Sequence, residues 1–245
     1  MTYLTDVSER LKQYIECIEF YLCKTSINKI VFCENSNYKF DSRALYELAK
    51  KNNKLLEILQ FNGNYSQIVD RGKGYGEGEI IEYALQNSKL FLQSKYFVKV
   101  TGRLIISNID ILCKKIDFDR VYFNCNLYCY PSVDTKMYGM PIALYKDTFR
   151  KAYCDVDDKE NQYIESIFFK IIKDNQMKVF SFYKYPIFEG ISGSSGFNYF
   201  DDLVHIRWLI NIGCYLNVLN KRCFYFFIYK LLQVDRKLCR RRLFY

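Results

Sequence analysis

Two glycine-rich segments could bring the backbone close to a ligand, and the first of them also contains charged residues. Seven of the 11 glycines fall in residues 70–78 and 189–196. Glycine permits positive φ angles and lets backbone N–H groups approach a ligand closely. In the first segment Lys73 and Glu77 are interleaved with glycines such as Gly74, directly before a helical pattern whose N-terminus would attract an anion. We therefore predict a ligand-binding loop at residues 70–78, with a flexible turn as the alternative.

A lysine inside an apolar run is a second candidate for phosphate binding. Lys99 lies in a segment that predicts a β-strand at residues 96–100, and Thr101, Gly102 and Arg103 follow at once. Burying an ammonium group in a strand is costly unless the group reaches an anion or the strand end. We expect Lys99 or Arg103 to face a phosphate, and the alternative is that both lie on a solvated face.

The single histidine, His205, limits the catalytic chemistry that the chain can use. Sites with several histidine ligands are excluded, and a serine or cysteine triad would have to include this residue. His205 is a candidate for binding phosphate or acting as a base, with a structural role as the alternative. The ten cysteines form no Cys-x-x-Cys pair. Four of them stand among apolar residues and are predicted to pack as small reduced side chains: Cys17, Cys33, Cys113 and Cys214.

Alternating strand and helix patterns must position these residues. Strands are predicted at residues 30–33, 55–61, 96–100 and 120–127, and helices at residues 7–22, about 41–52 and about 79–93. This alternation indicates an α/β fold with a mainly parallel central sheet flanked by helices, in which ligands bind at the carboxyl ends of the strands. Later elements are predicted as a loop between Pro131 and Pro141, helices near residues 146–152 and 159–173, and a strand at residues 178–182.

The net charge of +9 is concentrated near the end of the 245-residue sequence. Residues 221–245 contain eight basic residues and one acidic residue, which leaves a net charge of only +2 on residues 1–220. An apolar run at residues 223–229, followed by Leu231 and Leu232, lies between basic clusters, which favours peripheral contact with an anionic membrane. The alternative is a last helix docked on the body with a solvated basic end. No apolar run reaches the ~18–20 residues of a membrane span.

The order of these elements resembles the GT-A type of nucleotide-sugar glycosyltransferase, in particular bacterial enzymes that build lipopolysaccharide or capsule glycans. The resemblance covers roughly residues 28–200. It rests on a strand ending at residues 34–36, a glycine segment before a helix, a strand entering Thr101-Gly102-Arg103, and an acidic segment opening a later helix. It implies a single GT-A-like domain at residues 1–220, followed by a basic, helical C-terminal tail at residues 221–245.

The resemblance also implies roles for particular residues. The nucleotide-sugar site would comprise Glu34, Asn35, Ser36, Lys73, Gly74, Glu77, Lys99, Thr101, Gly102 and Arg103. Asp157, Asp158 and Glu160 stand where inverting members of the family place the carboxylate that deprotonates the acceptor hydroxyl, although the helix dipole also favours acidic residues there. Asp134 is a further candidate for substrate contact.

A divalent metal is an open expectation of this resemblance. The family usually binds Mg²⁺ or Mn²⁺ through an Asp-x-Asp motif at the strand end, and Thr101-Gly102-Arg103 occupies that place here. Hard cations require oxygen ligands, so the usual metal ligands are missing. Lys73, Lys99 or Arg103 would then stabilise the leaving phosphate.

These patterns together predict a cytoplasmic glycosyltransferase, peripheral at the inner face of the cell membrane, that transfers a sugar from a nucleotide-sugar donor to a lipid-linked or surface-glycan acceptor. One alternative is a nucleic-acid-binding protein that uses the basic tail, whose affinity would fall steeply with salt. Another is a different phosphate-handling α/β enzyme such as a nucleotidyltransferase.

Overall fold

The computed structural model describes residues 6–127, 131–191, 199, 206–218, 220–224 and 226–232. Its helices are α1 (Val7–Lys24), α2 (Arg43–Lys51), α3 (Tyr65–Arg71), α4 (Lys73–Asn87), α5 (Lys89–Leu92), α6 (Ile109–Cys113), α7 (Ile142–Leu144), α8 (Ile164–Asp174) and α9 (Arg207–Tyr215). Its strands are β1 (Lys29–Glu34), β2 (Leu55–Gln60), β3 (Tyr96–Val100), β4 (Ile105–Ile106), β5 (Val121–Cys125), β6 (Val133–Pro141), β7 (Val179–Phe180) and β8 (Phe188–Glu189). Residues 222–224 and 226–232 are also helical.

The first part of the chain forms a parallel β-α-β unit, as its pattern predicts. The side chain of Asp6 caps α1 by accepting hydrogen bonds from the N–H groups of Ser8 and Glu9. β1 pairs in parallel with β2, and Glu34 lies opposite Gln60, so both strands end at one edge. The core between α1, α2 and β1 consists of Ile18, Leu22, Phe32, Leu45 and Ala49.

The larger sheet has the strand order β3-β6-β5-β7 and is mixed. β6 is antiparallel to β3 and to β5, whereas β5 and β7 are parallel. β3, β5 and β7 therefore run in one direction and β6 in the other. The predicted α/β class is confirmed. The predicted mainly parallel sheet is correct for the β1-β2 pair and wrong for this mixed sheet.

β6 occupies the segment for which the sequence predicts a loop between Pro131 and Pro141. Proline has no N–H to donate and is therefore avoided inside central strands. Here Pro131 precedes the strand and Pro141 ends it, while Met137, Tyr138 and Met140 between them are buried. The two prolines bound a strand, and the prediction of a loop is wrong.

β5 confirms the strand predicted at residues 120–127, and it lies at the centre of the fold. Val121 and Phe123 pack in the cluster that includes residues of α4 and α8. Tyr122, between them, packs in the cluster that includes residues of α6 and α9. Successive strand residues point to opposite faces, so β5 connects two cores across the sheet.

The two helices predicted after β6 differ from the structure, whereas the strand predicted at residues 178–182 corresponds to β7. In place of a helix at residues 146–152, a π-helical turn at Tyr145–Phe149 is followed by a 3-10 turn at Ala152–Asp155. The helix predicted from residue 159 begins only at Ile164, because a β-bridge between Asp157 and Gln162 first turns the chain.

The glycine-rich segment at residues 70–78 is helical, which corrects the prediction of a loop. α3 ends at Arg71 and α4 begins at Lys73, with one residue between them. That residue, Gly72, has a φ angle of +111°, a conformation that side-chain-bearing residues rarely adopt. A single glycine therefore turns the chain from one helix into the next.

Three further glycines lie inside α4 and are buried there: Gly74, Gly76 and Gly78. A Cβ atom on Gly74 would lie 2.9 Å from Cβ of Ile164 at the start of α8. A Cβ atom on Gly78 would lie 2.0 Å from Cβ of Tyr153 in the 3-10 turn. These glycines therefore serve close packing of α4 against its neighbours.

Gly78→Ala is expected to destabilise the fold by about 1–3 kcal/mol, the usual cost of overpacking. Alanine is intrinsically the better helix former, by up to ~1 kcal/mol, but the new methyl group would displace Tyr153. Urea unfolding would show a lower midpoint. Gly76→Ala is the matched control, because its nearest contacts lie at 3.3 Å and belong to the side-chain ends of Asn35 and Ile68. Equal losses from both substitutions would contradict the packing argument.

The four cysteines predicted to pack as apolar residues are withdrawn from solvent. Cys17 and Cys214 are buried, and Cys33 and Cys113 are partly buried. Burial raises the pKa of Cys17 and of Cys33 to about 12, because the thiolate is disfavoured away from water. These results confirm their packing role.

Part of the segment after residue 220 packs into the core. Ile228 and Leu232 are buried in the same cluster as Ile210 and Cys214 of α9. Residues 233–245, with most of the predicted basic tail, lie outside the described residues. Within the described chain, no helix combines the length and apolarity needed to cross a membrane.

Candidate functional site

An irregularity in β6 places polar residues at the carboxyl ends of β3 and β5. Phe123 faces Tyr138 and Cys125 faces Val133, so two steps along β5 correspond to five steps along β6. The three additional residues bulge out within residues 134–137, where β6 is also paired with the end of β3. β-Bulges frequently re-aim side chains beside functional sites.

Lys99 lies beside this bulge, and three protein oxygens hold its ammonium group. Nζ donates to Oε1 of Glu77 at 2.7 Å, to the carbonyl oxygen of Thr135 at 2.6 Å and to Oγ1 of Thr101 at 3.2 Å. The side chain of Lys99 is 11% exposed. Because an ammonium group has three N–H donors, these acceptors satisfy it completely. The anion that the buried lysine requires is Glu77 of α4.

Glu165, in the first turn of α8, extends this cluster. Oγ1 of Thr135 donates to Oε1 of Glu165 at 3.0 Å. Burial raises the pKa of the Glu165 carboxyl, and the charges of Glu77 and Asp134 raise it further, against the opposing effect of hydrogen bonds. A carboxyl with a raised pKa exchanges its proton closer to neutral pH, as a general base or acid requires.

Asp134 and Lys136 form the other side of the bulge. Nζ of Lys136 lies 2.8 Å from Oδ2 of Asp134, whose side chain is almost fully buried. The same ammonium group lies 5.1 Å and 5.3 Å from the ring centroids of Phe188 and Tyr199. Burial acts to lower the pKa of Lys136, but the charge of Asp134 and the hydrogen bond to it, together with the charges of Tyr199 and Glu165, outweigh burial and raise the pKa. Lys136 is therefore a fixed positive charge.

Two further cations lie where α4 begins and where β3 ends. Burial lowers the pKa of Lys73, Asp158 opposes that effect, and the charge of Arg103 lowers the pKa further. Lys73 and Arg103 are therefore electrostatic neighbours. Nη1 of Arg103 is buried and finds no hydrogen-bond partner in the described part of the chain. A buried guanidinium N–H is costly to leave unpaired, so an anionic ligand here would supply the acceptor that it lacks.

The ends of β1 and β3 lie side by side although they belong to different sheets. A Cβ atom on Gly102, in the turn after β3, would lie 3.2 Å from Tyr14 of α1 and 3.6 Å from Phe32 of β1. α4 spans both strand ends, because Gly76 lies against Asn35 and Glu77 binds Lys99. The predicted loops at residues 34–36 and 101–103 therefore come together.

The polar residues after β1 are held by local hydrogen bonds. The carboxylate of Glu34 accepts from the N–H of Ser36 at 2.8 Å and from its hydroxyl group. Nδ2 of Asn35 donates to Oε2 of Glu79 at 3.5 Å, and Oε1 of Glu79 accepts from the N–H of Asn64 at 2.8 Å. Glu34 therefore stabilises the turn that follows β1, and Ser36 is exposed at the edge where β1 and β2 end.

The acidic segment before α8 shapes the backbone. Oδ1 of Asp157 accepts from the N–H groups of Lys159 at 3.0 Å and Glu160 at 3.3 Å. Oδ2 of Asp158 accepts from the N–H of Lys73 at 3.2 Å, at the N-terminus of α4. Glu160 is exposed. Of the three predicted catalytic acids, Asp158 is the one that these bonds join to the start of α4.

Three residues of this cluster are not predicted from the sequence: Thr135, Lys136 and Glu165. The available signal for the first two was a run of three polar residues, beginning at Asp134, before a buried apolar stretch. Glu165 carried no separate signal, because an acid in a first helical turn is common for electrostatic reasons alone. His205 lies outside the described residues, so its role stays a prediction.

The carboxylates of this cluster do not fit a divalent cation. Glu77 is paired with Lys99, and Asp134 with Lys136. A hard cation needs several oxygen ligands and would be repelled by these two ammonium groups. In the part of the chain that the structure describes, no group of three or more His, Cys, Asp or Glu residues could hold a metal ion.

The chain matches no protein-family model, no curated protein and no solved structure at a significant level. The structural class of the protein is therefore described from its own fold and charged cluster. The protein is a mixed α/β protein with a partly buried charged cluster beside the carboxyl ends of β3 and β5.

Proposed function

We propose that this protein is a glycosyltransferase that moves a sugar from a nucleotide-sugar donor to a glycan or lipid-linked acceptor. The observation that carries the proposal is the combination, around adjoining strand ends, of Arg103, whose atom Nη1 is buried without a hydrogen-bond partner in the described part of the chain, and a carboxyl of raised pKa on Glu165. The parallel β1-β2 pair and the common direction of β3, β5 and β7 support the GT-A-like arrangement.

The donor would bind with its nucleotide at residues 34–36 and its diphosphate at Lys73 and Arg103. Asp158 holds the first N–H group of α4, so the side-chain cations rather than this helix end would bind the phosphates. Lys99 stabilises the site from within, because its three hydrogen bonds tie α4 to the strand ends.

Glu165 is the proposed general base. Its carboxylate accepts the proton of the acceptor hydroxyl as that oxygen forms a bond to the anomeric carbon of the donor. The bond from that carbon to the donor phosphate breaks, and the nucleoside diphosphate departs with the electron pair. Lys73 and Arg103 would stabilise the negative charge that develops on the leaving group. Asp157, Asp158 and Glu160 remain the alternative sources of the base.

Transfer is expected to proceed without an added divalent metal, because the cluster carboxylates are paired with lysines. The test is incubation of the purified protein with a panel of nucleotide sugars and candidate acceptors, with and without EDTA, followed by detection of released nucleotide and glycosylated product. Absence of binding, release and transfer with every donor would overturn the proposal. Incorporation of the nucleotide into product would support a nucleotidyltransferase instead.

Arg103→Gln is expected to weaken binding of the active nucleotide sugar by roughly 10–100-fold, since hydrogen bonds to charged groups contribute about 1.5–3 kcal/mol. Calorimetric titration of the donor checks this value. Arg43→Gln is the matched control, because Arg43, at the start of α2, forms an exposed ion pair with Asp41. Equal affinity in both variants would show that Arg103 does not bind the diphosphate.

A further inference from the structure

α9 carries a continuous apolar stripe on its outer face. Trp208, Ile212, Tyr215 and Leu216 are exposed by 64%, 44%, 66% and 58% respectively. Their spacing of four, three and one residues places them on one side of the helix. Four large side chains in one stripe form a surface patch that needs an explanation, whereas a single exposed leucine would not.

The opposite face of α9 is fixed in the core, so the stripe cannot turn inward. Ile210, Gly213 and Cys214 are buried. A Cβ atom on Gly213 would lie 2.3 Å from the ring of Phe224, which shows that the helical residues 222–224 pack directly against α9. The stripe therefore faces away from the core of the described residues.

Aromatic contacts extend the patch beyond α9. The rings of Tyr215 and Tyr183 meet edge to face at 5.6 Å, and Tyr183 is itself exposed. In the neighbouring helical segment, Phe226 and Phe227 are also exposed, while Ile228 is buried. Part of the apolar run at residues 223–229, which the sequence predicts to contact a membrane, is therefore packed in the core.

The surroundings of the patch are basic. Residues 206–232 contain no Asp or Glu, and their charged residues are Arg207, Lys221, Arg222 and Lys230. Nζ of Lys115 lies 5.8 Å from the ring of Tyr183, so a further cation adjoins the patch. The sequence of residues 233–245, which lie outside the described residues, contains five further cations and one acid: Arg236, Lys237, Arg240, Arg241, Arg242 and Asp235.

We propose that the α9 stripe is the surface by which this protein binds an anionic lipid bilayer. Tryptophan and tyrosine have an apolar body and a polar edge that suit the boundary between headgroups and acyl chains. Apolar insertion and attraction of the surrounding cations to anionic headgroups act together at such a surface. The inference accords with a lipid-linked acceptor in the proposed function, but it stands on the stripe and its charges.

Trp208 is the single tryptophan of the chain and therefore reports on this surface alone. Vesicles of phosphatidylcholine mixed with anionic phosphatidylglycerol carry a negative surface potential and are expected to shift its emission to the blue. Lipids brominated on the acyl chain are expected to quench it. Vesicles of phosphatidylcholine alone should bind much more weakly, and added salt should weaken binding to the anionic vesicles.

A double variant, Ile212→Asp with Leu216→Asp, is expected to lower the vesicle partition coefficient at least tenfold, because apolar area is lost and negative charge is added. Val69→Asp is the matched control, since Val69 is 63% exposed on α3. The proposal would be overturned if anionic vesicles did not shift the emission of Trp208, or if the control variant lost as much vesicle binding as the double variant. It would also be overturned if self-association or nucleic acid, and not lipid, shielded Trp208 from solvent. The assay contains no donor or acceptor, so its failure and the failure of the proposed transfer activity are separate results.

Discussion

Glu165→Gln is expected to lower the rate of sugar transfer by roughly 10²–10⁴-fold, the usual contribution of a general base. Glutamine keeps the shape of the side chain and can still accept the hydrogen bond that Thr135 donates. It cannot accept a proton from the acceptor hydroxyl. The expected loss therefore falls on kcat, with donor affinity nearly unchanged.

The control for this substitution is Glu47→Gln, an exposed glutamate of α2. Asp157→Asn, Asp158→Asn and Glu160→Gln belong in the same series as competing candidates for the base. If one of these three variants loses transfer while Glu165→Gln retains it, the base lies in the segment before α8. Asp158→Asn is also expected to weaken the N-terminus of α4, so its stability must be measured beside its activity.

The pH dependence provides a second readout of Glu165. Transfer by the wild-type protein should increase as the pH rises through the raised pKa of this carboxyl, and Glu165→Gln should lose that dependence. The effect on stability has the opposite sign. The unfolded chain releases this proton at a lower pH than the folded protein, so the wild type loses stability relative to the variant as pH rises between the two pKa values. Thermal unfolding across this range would reveal the difference.

Lys99→Met is expected to destabilise the fold by about 3 kcal/mol, toward the lower end of the range for a broken buried ion pair. The substitution leaves Glu77 without its cation and the carbonyl oxygen of Thr135 without its donor. The side chain of Glu77 is 27% exposed, so water relieves part of the cost. Urea unfolding measures the change in the free energy of unfolding.

Two further variants test the cause. Lys99→Met combined with Glu77→Leu should recover much of the lost stability, because removing both partners leaves no unpaired buried charge. Lys159→Met breaks an exposed pair with Asp70, in which both side chains are about two-thirds exposed, and should cost less than about 1 kcal/mol. If Lys99→Met and Lys159→Met cost the same, burial is not the source of the stability of the Lys99 pair.

Local sequence patterns determined several elements and one site residue. The predicted strands at residues 55–61, 96–100 and 120–127 correspond to β2, β3 and β5, because short apolar runs bounded by polar segments favour strands. Lys99 was identified because an ammonium group in such a run demands an anion nearby. These conclusions need only the chain and its neighbours in sequence.

Only the tertiary structure decided which anion that would be and how the glycine segment is used. Glu77 lies 22 positions before Lys99 and reaches it because α4 crosses the strand ends. The glycines of α4 look like a loop in sequence, yet they are spaced for close contact with Tyr153 and Ile164, far later in the chain. Local propensity does not report on packing between distant segments. The glycines of residues 70–78 could therefore not be assigned to a loop or to a packed helix from the sequence alone.

The orientation of β6 and the bulge that presents Asp134, Thr135 and Lys136 were likewise decided by pairing with both neighbouring strands. Hydrogen bonds between strands depend on contacts between segments that are distant in sequence. Considered locally, Pro131 before β6 and Pro141 at its end favour a loop. The sequence determined that a buried lysine needs a partner and that basic charge gathers near residue 221 and beyond. The fold decided which carboxyl has a raised pKa, which cations lie near it and which face of α9 is exposed to solvent. Burial and proximity exist only once the chain is folded.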